Sequence, residues 1–361
     1  MNIGSLEDIL SPASQMLLLA IGMAFTFSLA IAVIALPGLI KKMRQGGMVG
    51  KDVNKPGDVH VPELGGIAAV FAFTISLSLV IGIEKLAGNI FEPPYLAAIS
   101  VFFIASMIGL IDDISNIKQR VKAIAVVFAS LPLLLVHFKN GGNGVGVIDT
   151  AVNAFIALPL GGKLPFEWFP YLYWFLLVPI GVTGVSNAMI MSAGYNGLES
   201  GQIAIVSGFL LAVSAFKGTL ESVLIFASLT GAALGLYMFN RHPARVFIGD
   251  IGTLGLGAAI AAGAVIGGIE VYGFIAIAPA FYEAASTFYY SVIRKVPDRR
   301  HACHNPVIRD DGTLEPPKGA ERYTLAYWLL SRRPMTERRL VRVLLTLYAA
   351  AGVAALALSV L

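Results

Sequence analysis

Charged residues are scarce in this sequence. Only 13% of its 361 residues are Asp, Glu, Lys or Arg, whereas 57% are hydrophobic. Soluble domains carry about 25% charged and about 45–50% apolar residues, so the composition excludes an ordinary soluble domain. There is one cysteine, Cys303, which excludes an internal disulfide and a metal site built from cysteines alone. The first 40 residues lack the basic start and the cleavage site of a signal peptide, so we expect them to be retained.

Long apolar runs are abundant instead, and the mean hydropathy is +0.77. A helix of about 20 apolar residues crosses the roughly 30 Å of hydrocarbon in a bilayer. Ten runs are predicted to do so: 14–40, 64–83, 95–111, 121–138, 166–186, 200–216, 220–239, 251–269, 271–294 and 339–361. The sequence therefore predicts an all-α polytopic integral membrane protein with about ten transmembrane helices, which form a single domain over residues 1–361.

Lysine and arginine are distributed unevenly among the connecting segments. The segments that follow odd-numbered spans hold 22 of the 26 basic residues. The other four are Lys85, Lys139, Lys163 and Lys217. Because basic loops stay in the cytoplasm, we predict that the basic segments are cytoplasmic and that both termini lie on the opposite side.

The last cytoplasmic loop, residues 295–338, contains a hairpin signal. The stretch PVIRDDGTLEP (306–316) alternates around an Asp-Gly pair, which is typical of a two-residue turn between antiparallel strands. We therefore expect a small cytoplasmic β-hairpin near 306–316.

Two adjacent carboxylates stand at the end of the third span, in GLIDDISNIKQRVK (109–122). Successive helical residues are about 100° apart, so Asp112 and Asp113 cannot point the same way. The helix macrodipole disfavours acids at a C-terminal end, which suggests charges retained for a ligand such as a divalent cation. The alternative is an ordinary helix end, with Asp113 paired to Lys118 or Arg120.

A further carboxylate, Asp250, lies immediately before the eighth span, in FNRHPARVFIGDIGTLGLG (239–257). Free N–H groups at a helix N-terminus favour anions. Arg241, His242 and Arg245 precede it closely, which places phosphate-binding side chains beside a carboxylate that can bind a metal. A simple helix N-cap is the alternative.

Three more polar loops are predicted on the same face. They are SNAMIMSAGYNGLESGQ (186–202), VGKDVNKPGDVHVPELGG (49–66) and KVPDRRHACHNP (295–306). Each taken alone is equally compatible with a turn or a basic loop. Together the five loops combine acids, amides and cations, an inventory suited to a pyrophosphate bound with a hard metal ion. Transport would instead predict polar groups within the spans, where Glu283 is the clear case.

The loop motifs GLIDDISNIKQRVK, SNAMIMSAGYNGLESGQ, RHPARVFIGD and GKDVNKPGDVHVPELGG resemble those of the polyprenyl-phosphate N-acetylhexosamine-1-phosphate transferases (glycosyltransferase family 4). This superfamily includes the bacterial phospho-MurNAc-pentapeptide translocase. The resemblance covers about residues 50–310 and is strongest to the eukaryotic and archaeal branch, the UDP-GlcNAc–dolichyl-phosphate GlcNAc-1-phosphate transferases. It also implies ten helices with both termini outside.

The resemblance implies a reaction on the cytoplasmic face. N-acetylglucosamine 1-phosphate passes from UDP-GlcNAc to a polyprenyl (dolichyl-type) phosphate, giving GlcNAc-pyrophosphoryl-polyprenol and UMP, with Mg²⁺ or Mn²⁺ as cofactor. The expected partners are the two substrates and the bilayer, without nucleic acid, and a homodimer is left open. The alternative function is a non-catalytic transporter or flippase of a nucleotide sugar or a lipid-linked sugar.

Roles follow from the motif positions. Asp250 resembles the metal-binding aspartate, and Asp112 and Asp113 match the paired aspartates that position the lipid phosphate, with Asp113 expected as a second metal ligand. Lys122 matches a lysine that contacts phosphate. The residues expected to bind the nucleotide sugar are Glu63, Asn187, Asn196, Phe247, Arg300, His301 and His304.

Two positions depart from the family pattern. Ile190 stands where eukaryotic relatives have a second asparagine associated with the metal, so Asn187 or a carboxylate must compensate. Ala302 interrupts an Arg-His-Arg pattern that reads the sugar, which leaves His304 or Arg299 as substitutes. Sugar identity is therefore less firmly implied than the reaction type.

Overall fold

The computed structural model describes residues 12–86, 93–115, 117–139, 156–157, 163–164, 169–217, 220–297, 299–303 and 305–361. In this part of the chain, eight helices are long and apolar enough to cross a membrane. One of them, Tyr173–Met191, begins with a π-helical turn at Tyr173–Leu177 and continues as an α-helix from Val178. The helices are α1 (Pro12–Gln45), α2 (Gly66–Leu86), α3 (Pro93–Ser115), α4 (Gln119–Ala129), α5 (Leu134–Lys139), α6 (Phe169–Leu172), α7 (Val178–Met191), α8 (Leu198–Lys217), α9 (Leu220–Asn240), α10 (Asp250–Gly267), α11 (Glu270–Ala276), α12 (Ala278–Phe288), α13 (Arg299–Cys303), α14 (Leu325–Arg332) and α15 (Glu337–Val360). The prediction of an all-α polytopic membrane protein is confirmed.

Two predicted spans are interrupted rather than continuous. The run 121–138 consists of α4, a 3₁₀ turn at Leu131–Leu133 and α5. The run 271–294 divides into α11, α12 and a π-helical turn at Tyr289–Ile293. Pro132 and Pro279 lie at these breaks, and proline cannot donate the backbone hydrogen bond that a continuous helix requires.

The described residues also form three short antiparallel strand pairs. Val307–Ile308 pairs with Leu314–Glu315, which confirms the hairpin predicted near 306–316. Val49–Lys51 pairs with His60–Pro62 in the loop before α2. The third pair joins Ile156–Ala157 to Lys163–Leu164.

Helix α10 lies at the centre of the bundle. Its side chains from Ile251 to Ala264 are all buried, so the helix is apolar on every face. Small residues let neighbouring backbones approach: a Cβ atom at Gly109 of α3 would overlap the backbone of Asp250, and Gly66 of α2 packs on Gly252. Such small-residue contacts are how membrane helices pack closely. They bring the C-terminal end of α3 against the N-terminal end of α10.

Candidate active site

Lys122 joins two carboxylates where α3, α4 and α10 meet. Its Nζ atom lies 2.6 Å from Asp112 Oδ2 and 2.5 Å from Asp250 Oδ2. The side chains of Lys122 and Asp112 are 3% and 8% exposed, whereas that of Asp250 is 26% exposed. The buried cation therefore neutralises part of the acidic charge, and Asp250 presents the cluster to solvent.

Asp113 does not contact Lys122 as Asp112 does, but binds the backbone at the start of α10. Its Oδ1 accepts a hydrogen bond from the backbone N–H of Asp250 at 2.8 Å, and its Oδ2 accepts one from that of Ile251 at 2.9 Å. Both N–H groups belong to the first turn of α10, which has no intrahelical acceptors for them. Asp113 thus caps α10 from another helix and holds Asp250 in place. Gly249, with φ of 73°, precedes Asp250, and a Cβ there would lie 2.8 Å from Asp113 Oδ2.

A cleft of about 410 Å³ opens beside Asp250. Its walls include Phe247 and Asn196, two of the residues expected to bind a nucleotide sugar, together with Glu199 of α8 and Asp52 of the loop before α2. Phe247 is positioned by backbone pairing, since its N–H donates to the carbonyl of Pro62 at 2.7 Å and its carbonyl accepts from the N–H of Gly65 at 2.8 Å. The structure therefore brings an aromatic ring, an amide and the acidic cluster to one cleft.

The donor atoms of the acidic cluster suit a hard cation. Asp112 Oδ1 is buried and accepts no hydrogen bond from the described residues, and Asp250 adds a partly exposed carboxylate. Within the described part of the chain, no group of three His, Cys, Asp or Glu side chains is gathered as a complete metal site. Mg²⁺ commonly uses one or two carboxylates and completes its shell with water and substrate phosphates, so Asp112 and Asp250 fit this kind of site.

Asn196 is held by two acids. Its side-chain Nδ2 donates to Asp52 Oδ2 at 2.9 Å, and its backbone N–H donates to Glu337 Oε1 at 2.8 Å. Glu337 is the first residue of α15 and is only 4% exposed. The same Glu337 oxygen accepts from Asn54 Nδ2 at 3.3 Å. One carboxylate therefore fixes both the loop before α2 and the turn before α8.

Two basic side chains surround the other oxygen of Glu337. Lys55 forms an ion pair with Oε2, and His242 Nε2 lies 3.7 Å from the same atom. Desolvation lowers the pKa of His242, and the positive charge of Lys55 lowers it further, whereas Glu337 acts in the opposite direction. Neutral His242 is therefore favoured in the folded protein.

Two other residues predicted to contact substrate lie outside the cleft wall. Asn187 donates its Nδ2 to the carbonyl of Thr183 on its own helix at 2.8 Å, and it is half-buried. Glu63 is exposed, but its carboxyl group lies directly over Gly50. Desolvation raises the pKa of the Glu63 carboxyl group. The roles predicted for Asn187 and Glu63 stay predictions.

The predicted sugar-reading segment is described only in part. Arg300 and His301 lie in α13, but their side chains are outside the described part, and His304 is outside it altogether. The neighbouring Arg299 is buried and donates from Nη2 to the carbonyl of Tyr323 at 2.8 Å. Arg299 therefore anchors the segment through Nη2, and its suggested role as a substitute in reading the sugar stays a prediction.

The sequence interpretation assigned no role to Glu337. It is the first residue of α15 and lies two residues before the predicted start of the tenth span, within the predicted cytoplasmic loop 295–338. The signal available was a single acid at the start of a run with Arg338 and Arg339. Glu199 and Asp52 belong to the polar loops 186–202 and 49–66, and their position in the cleft follows only from tertiary contacts.

Comparison with known proteins supplies the family. The model of glycosyl transferase family 4 matches residues 95–268. The "Putative UDP-N-acetylglucosamine--dolichyl-phosphate N-acetylglucosaminephosphotransferase" of Saccharolobus solfataricus is 30% identical over 262 residues, 72% of this chain and 73% of the relative. The protein of the same name from Sulfolobus acidocaldarius is 30% identical over 261 residues, again 72% and 73%. The phospho-N-acetylmuramoyl-pentapeptide-transferase of Shouchella clausii is 31% identical over 214 residues, 58% of this chain and 62% of the relative.

These matches confirm the resemblance seen in the loop motifs, and archaeal and bacterial relatives match at similar identity. The matched region contains the acidic pair, Lys122 and Asp250. With α10 at the centre of the bundle and the acidic cluster at its first turn, family and geometry agree: the chain belongs to glycosyl transferase family 4.

Proposed function

We propose that this protein transfers N-acetylglucosamine 1-phosphate from UDP-GlcNAc to a polyprenyl phosphate of the dolichyl type. The reaction takes place on the cytoplasmic face and yields GlcNAc-pyrophosphoryl-polyprenol and UMP. Family membership and the names of the archaeal relatives support the reaction type. The uneven distribution of lysine and arginine supports the orientation.

One observation carries the proposal. The Asp112–Lys122–Asp250 cluster opens, through Asp250, into a cleft of about 410 Å³ at the end of membrane-spanning helices. A lipid phosphate at headgroup level and a nucleotide from the aqueous side can therefore meet at the same point. A cluster placed mid-span would not allow this meeting.

The reaction exchanges one phosphorus–oxygen bond for another. An oxygen of the polyprenyl phosphate bonds to the β-phosphorus of UDP-GlcNAc, and the bond from that phosphorus to the bridging oxygen breaks, so UMP leaves with the bridging oxygen. A phosphate monoester has a second pKa of about 6 and is largely a dianion at neutral pH, so a general base is unnecessary. The protein contributes positioning and charge stabilisation.

Each residue of the cluster has a task in this scheme. Lys122 binds phosphate oxygens and offsets negative charge as UMP departs. Asp112 and Asp250 would hold Mg²⁺, because Asp112 Oδ1 accepts no hydrogen bond from the described residues. Both oxygens of Asp113 accept hydrogen bonds from α10, and its role as a metal ligand stays a prediction. When bound, Mg²⁺ supplies Lewis-acid stabilisation of the pyrophosphate charge.

The cleft residues would bind the nucleoside. Phe247 offers a ring on which uracil stacks, and Asn196, fixed by Asp52 and Glu337, offers a held backbone and amide. Arg300, His301 and His304 remain the predicted contacts to the pyrophosphate and the N-acetyl group. GlcNAc is the donor sugar that the archaeal relatives' names support.

The test is release of UMP by the purified protein. We expect release that requires UDP-GlcNAc, a polyprenyl phosphate and Mg²⁺ together, and a loss of at least about 100-fold in Asp250→Asn. Asp310→Asn, in the exposed turn of the 306–316 hairpin, is the matched control and should keep full activity. UMP release without the lipid, or normal turnover by Asp250→Asn, contradicts the proposal.

The alternative is a transporter or flippase that does no chemistry. In vesicles it would move a nucleotide sugar or lipid-linked sugar across the bilayer without forming UMP. The position of the acidic cluster at helix ends, away from mid-span, supports the transferase instead.

A further inference from the structure

A second cleft, of about 660 Å³, lies next to the candidate active site and is lined by basic residues. We call it the basic groove and define it by Arg241, His242, Arg245, Arg338 and Arg342. Asn196 lines both this groove and the cleft beside Asp250. Among the residues that the structure describes, no aspartate or glutamate lines the groove.

Three helix ends build the groove. Arg241 follows the last residue of α9, and Arg338 and Arg342 occupy the first two turns of α15. Both segments flank the start of α8, where Gly197, with φ of 87°, packs on the backbone of Arg241. Because Gly197 has no Cβ, the arginine-bearing bend sits directly against the turn that contains Asn196.

The positive charge of the groove has little compensation. Among the described residues, none of the four arginines forms an ion pair with an acid. Glu337 is the nearby carboxylate, but Lys55, Asn54 and the backbone of Asn196 occupy its oxygens. Arg338 also lies at a helix N-terminus, where a cation opposes the macrodipole. Four like charges around one cavity repel each other unless an anion joins them.

Arg245 has its planar group already oriented. Its Nη2 donates to the carbonyl of Met238 at 3.0 Å, and its Cζ lies 4.3 Å from the centre of the Phe239 ring. This leaves part of the guanidinium fork available at an exposed position. Guanidinium groups bind the oxygens of phosphates and carboxylates in pairs of parallel hydrogen bonds. Four arginines around one cavity match the higher charge and the larger number of oxygens of a phosphate group.

We propose that the basic groove is a second phosphate-binding site, separate from the acidic cluster, and that it takes a phosphate group such as the headgroup of an anionic phospholipid. Arg342 lies about 7.5 Å along α15 from Glu337 and is followed by an apolar run to the end of the helix. Arg342 therefore stands at the boundary between the basic first turns of α15 and its apolar remainder, where a lipid headgroup is expected. A free phosphate in the cytosol has the same chemistry and is the other source to be distinguished.

The test compares two single variants that each remove one positive charge from the same helix. Arg338→Gln alters the groove, whereas Arg339→Gln alters an exposed arginine of the same turn that does not line it. The double variant Arg338→Gln/Arg342→Gln removes two groove charges. Thermal unfolding and size-exclusion chromatography establish that all variants remain folded.

Native mass spectrometry of the full-length protein in a neutral detergent measures lipid binding. We expect phosphatidylglycerol to bind more tightly than phosphatidylcholine, with an affinity reduced about fivefold in Arg338→Gln and about twentyfold in the double variant. Arg339→Gln should bind as the original protein does. A second arm measures stabilisation by inorganic phosphate without Mg²⁺ and without anionic lipid.

Binding of phosphatidylglycerol that is lost only in the groove variants supports the lipid source. Stabilisation by inorganic phosphate that is lost only in these variants supports the free-phosphate source. Equal losses in Arg338→Gln and Arg339→Gln, or no binding in either arm, overturn the proposal. Neither measurement uses UMP release. Failure of the second phosphate site is therefore distinguishable from failure of the proposed transferase activity.

Discussion

Asp112 and Asp113 are neighbours in the chain, but their carboxylates face different partners. Asp112 pairs with Lys122 and keeps one buried oxygen without a hydrogen bond from the described residues. Asp113 uses both oxygens to cap α10. The roughly 100° between successive helical residues produces this division. One residue can therefore serve a cation while the next orients the helix that carries Asp250.

This division predicts different responses to Mg²⁺. In Asp112→Asn, the concentration of Mg²⁺ that gives half-maximal UMP release should rise at least about tenfold, because one hard-oxygen ligand is weakened. In Asp113→Asn, it should change by less than about twofold, while the free energy of unfolding falls by about 1 kcal/mol through loss of the cap. Mg²⁺ titrations and thermal unfolding of both variants measure these effects. The reverse ranking would assign Asp113 to the metal.

His242 predicts a pH dependence of stability. Its pKa is lowered in the folded state by desolvation and by Lys55, so between that pKa and about 6.5, the unfolded value, the unfolded chain binds more protons. The contribution of neutral His242 to folding stability is fully present above about pH 6.5. It is lost as pH falls through the pKa of His242 in the folded protein. Between pH 8 and pH 5, thermal unfolding should show a larger loss of stability in the original protein than in His242→Asn. An unchanged profile in His242→Asn would assign the decline to other groups.

At the level of elements, the start of α10 is assembled by segments distant in sequence. The end of α3 supplies the cap, and the backbone of residues 62–66 pairs with residues 247–248. The small residues Gly109 and Gly66 permit this close approach. The position of Asp250 therefore depends on contacts between helices, in addition to the local conformation at Gly249.

Gly109→Ala tests this packing. Its added Cβ would overlap the backbone of Asp250, so we expect a loss of about 1–3 kcal/mol in the free energy of unfolding and a fall in turnover as α10 shifts. Gly82→Ala, in α2, is the matched control because no atom lies within 4 Å of the added Cβ. Thermal unfolding and UMP release measure both variants. Equal behaviour of the two would show that the α3–α10 contact adapts without cost.

Glu337 connects the start of α15 to both loops of the cleft. Glu337→Gln removes the charge that pairs with Lys55 and weakens the acceptor for the Asn196 backbone. We expect the KM for UDP-GlcNAc to rise about tenfold while kcat changes less. The reason is that these loops are proposed to bind the donor, whereas the acidic cluster is proposed to carry the chemical step. Glu315→Gln, whose carboxylate is exposed and pairs with Arg309 at 3.6 Å, should leave both constants unchanged. A fall in kcat with constant KM would instead place Glu337 in the chemical step.

At the scale of the whole molecule, function depends on the two ends of the bundle being different. Most lysine and arginine residues are predicted to lie on one side of the membrane, and the acidic cluster, the cleft and the basic groove all lie at the end where α10 begins. Lys217, at the far end of α8, is predicted on the opposite side. For the proposed transfer, an active site at one end would let a membrane-bound polyprenyl phosphate meet a soluble nucleotide sugar.

Cysteine labelling tests this orientation. In a Cys303→Ser background, Lys51→Cys and Lys217→Cys each carry one exposed thiol, because both positions are exposed. A membrane-impermeant maleimide added to intact cells should label only Lys217→Cys, and permeabilisation should expose Lys51→Cys. Labelling of Lys51→Cys alone in intact cells would reverse the proposed orientation.

The sequence alone established the class of protein and most of its spans. A run of about 20 apolar residues has few stable alternatives to a membrane helix, because unpaired backbone groups are too costly in hydrocarbon. The Asp-Gly pair likewise predicted the hairpin at Val307–Ile308 and Leu314–Glu315. These features depend on neighbours in the chain, so local pattern was sufficient. The breaks at Pro132 and Pro279 also have a local cause in the proline residues. Hydropathy alone does not predict them, because the apolar runs continue through both prolines.

Tertiary structure alone decided the partners of the polar residues. The pairing of Lys122 with Asp250 joins residues 128 positions apart, and the hydrogen bond from the Asn196 backbone to Glu337 joins residues 141 apart. Sequence spacing carries no signal for such contacts, since they depend on which helix ends the bundle places side by side. The motifs identified residues with the right chemistry. Packing around α10 determined that Asp112 pairs with Lys122, that Asp113 caps α10, and that Glu337 belongs to the site.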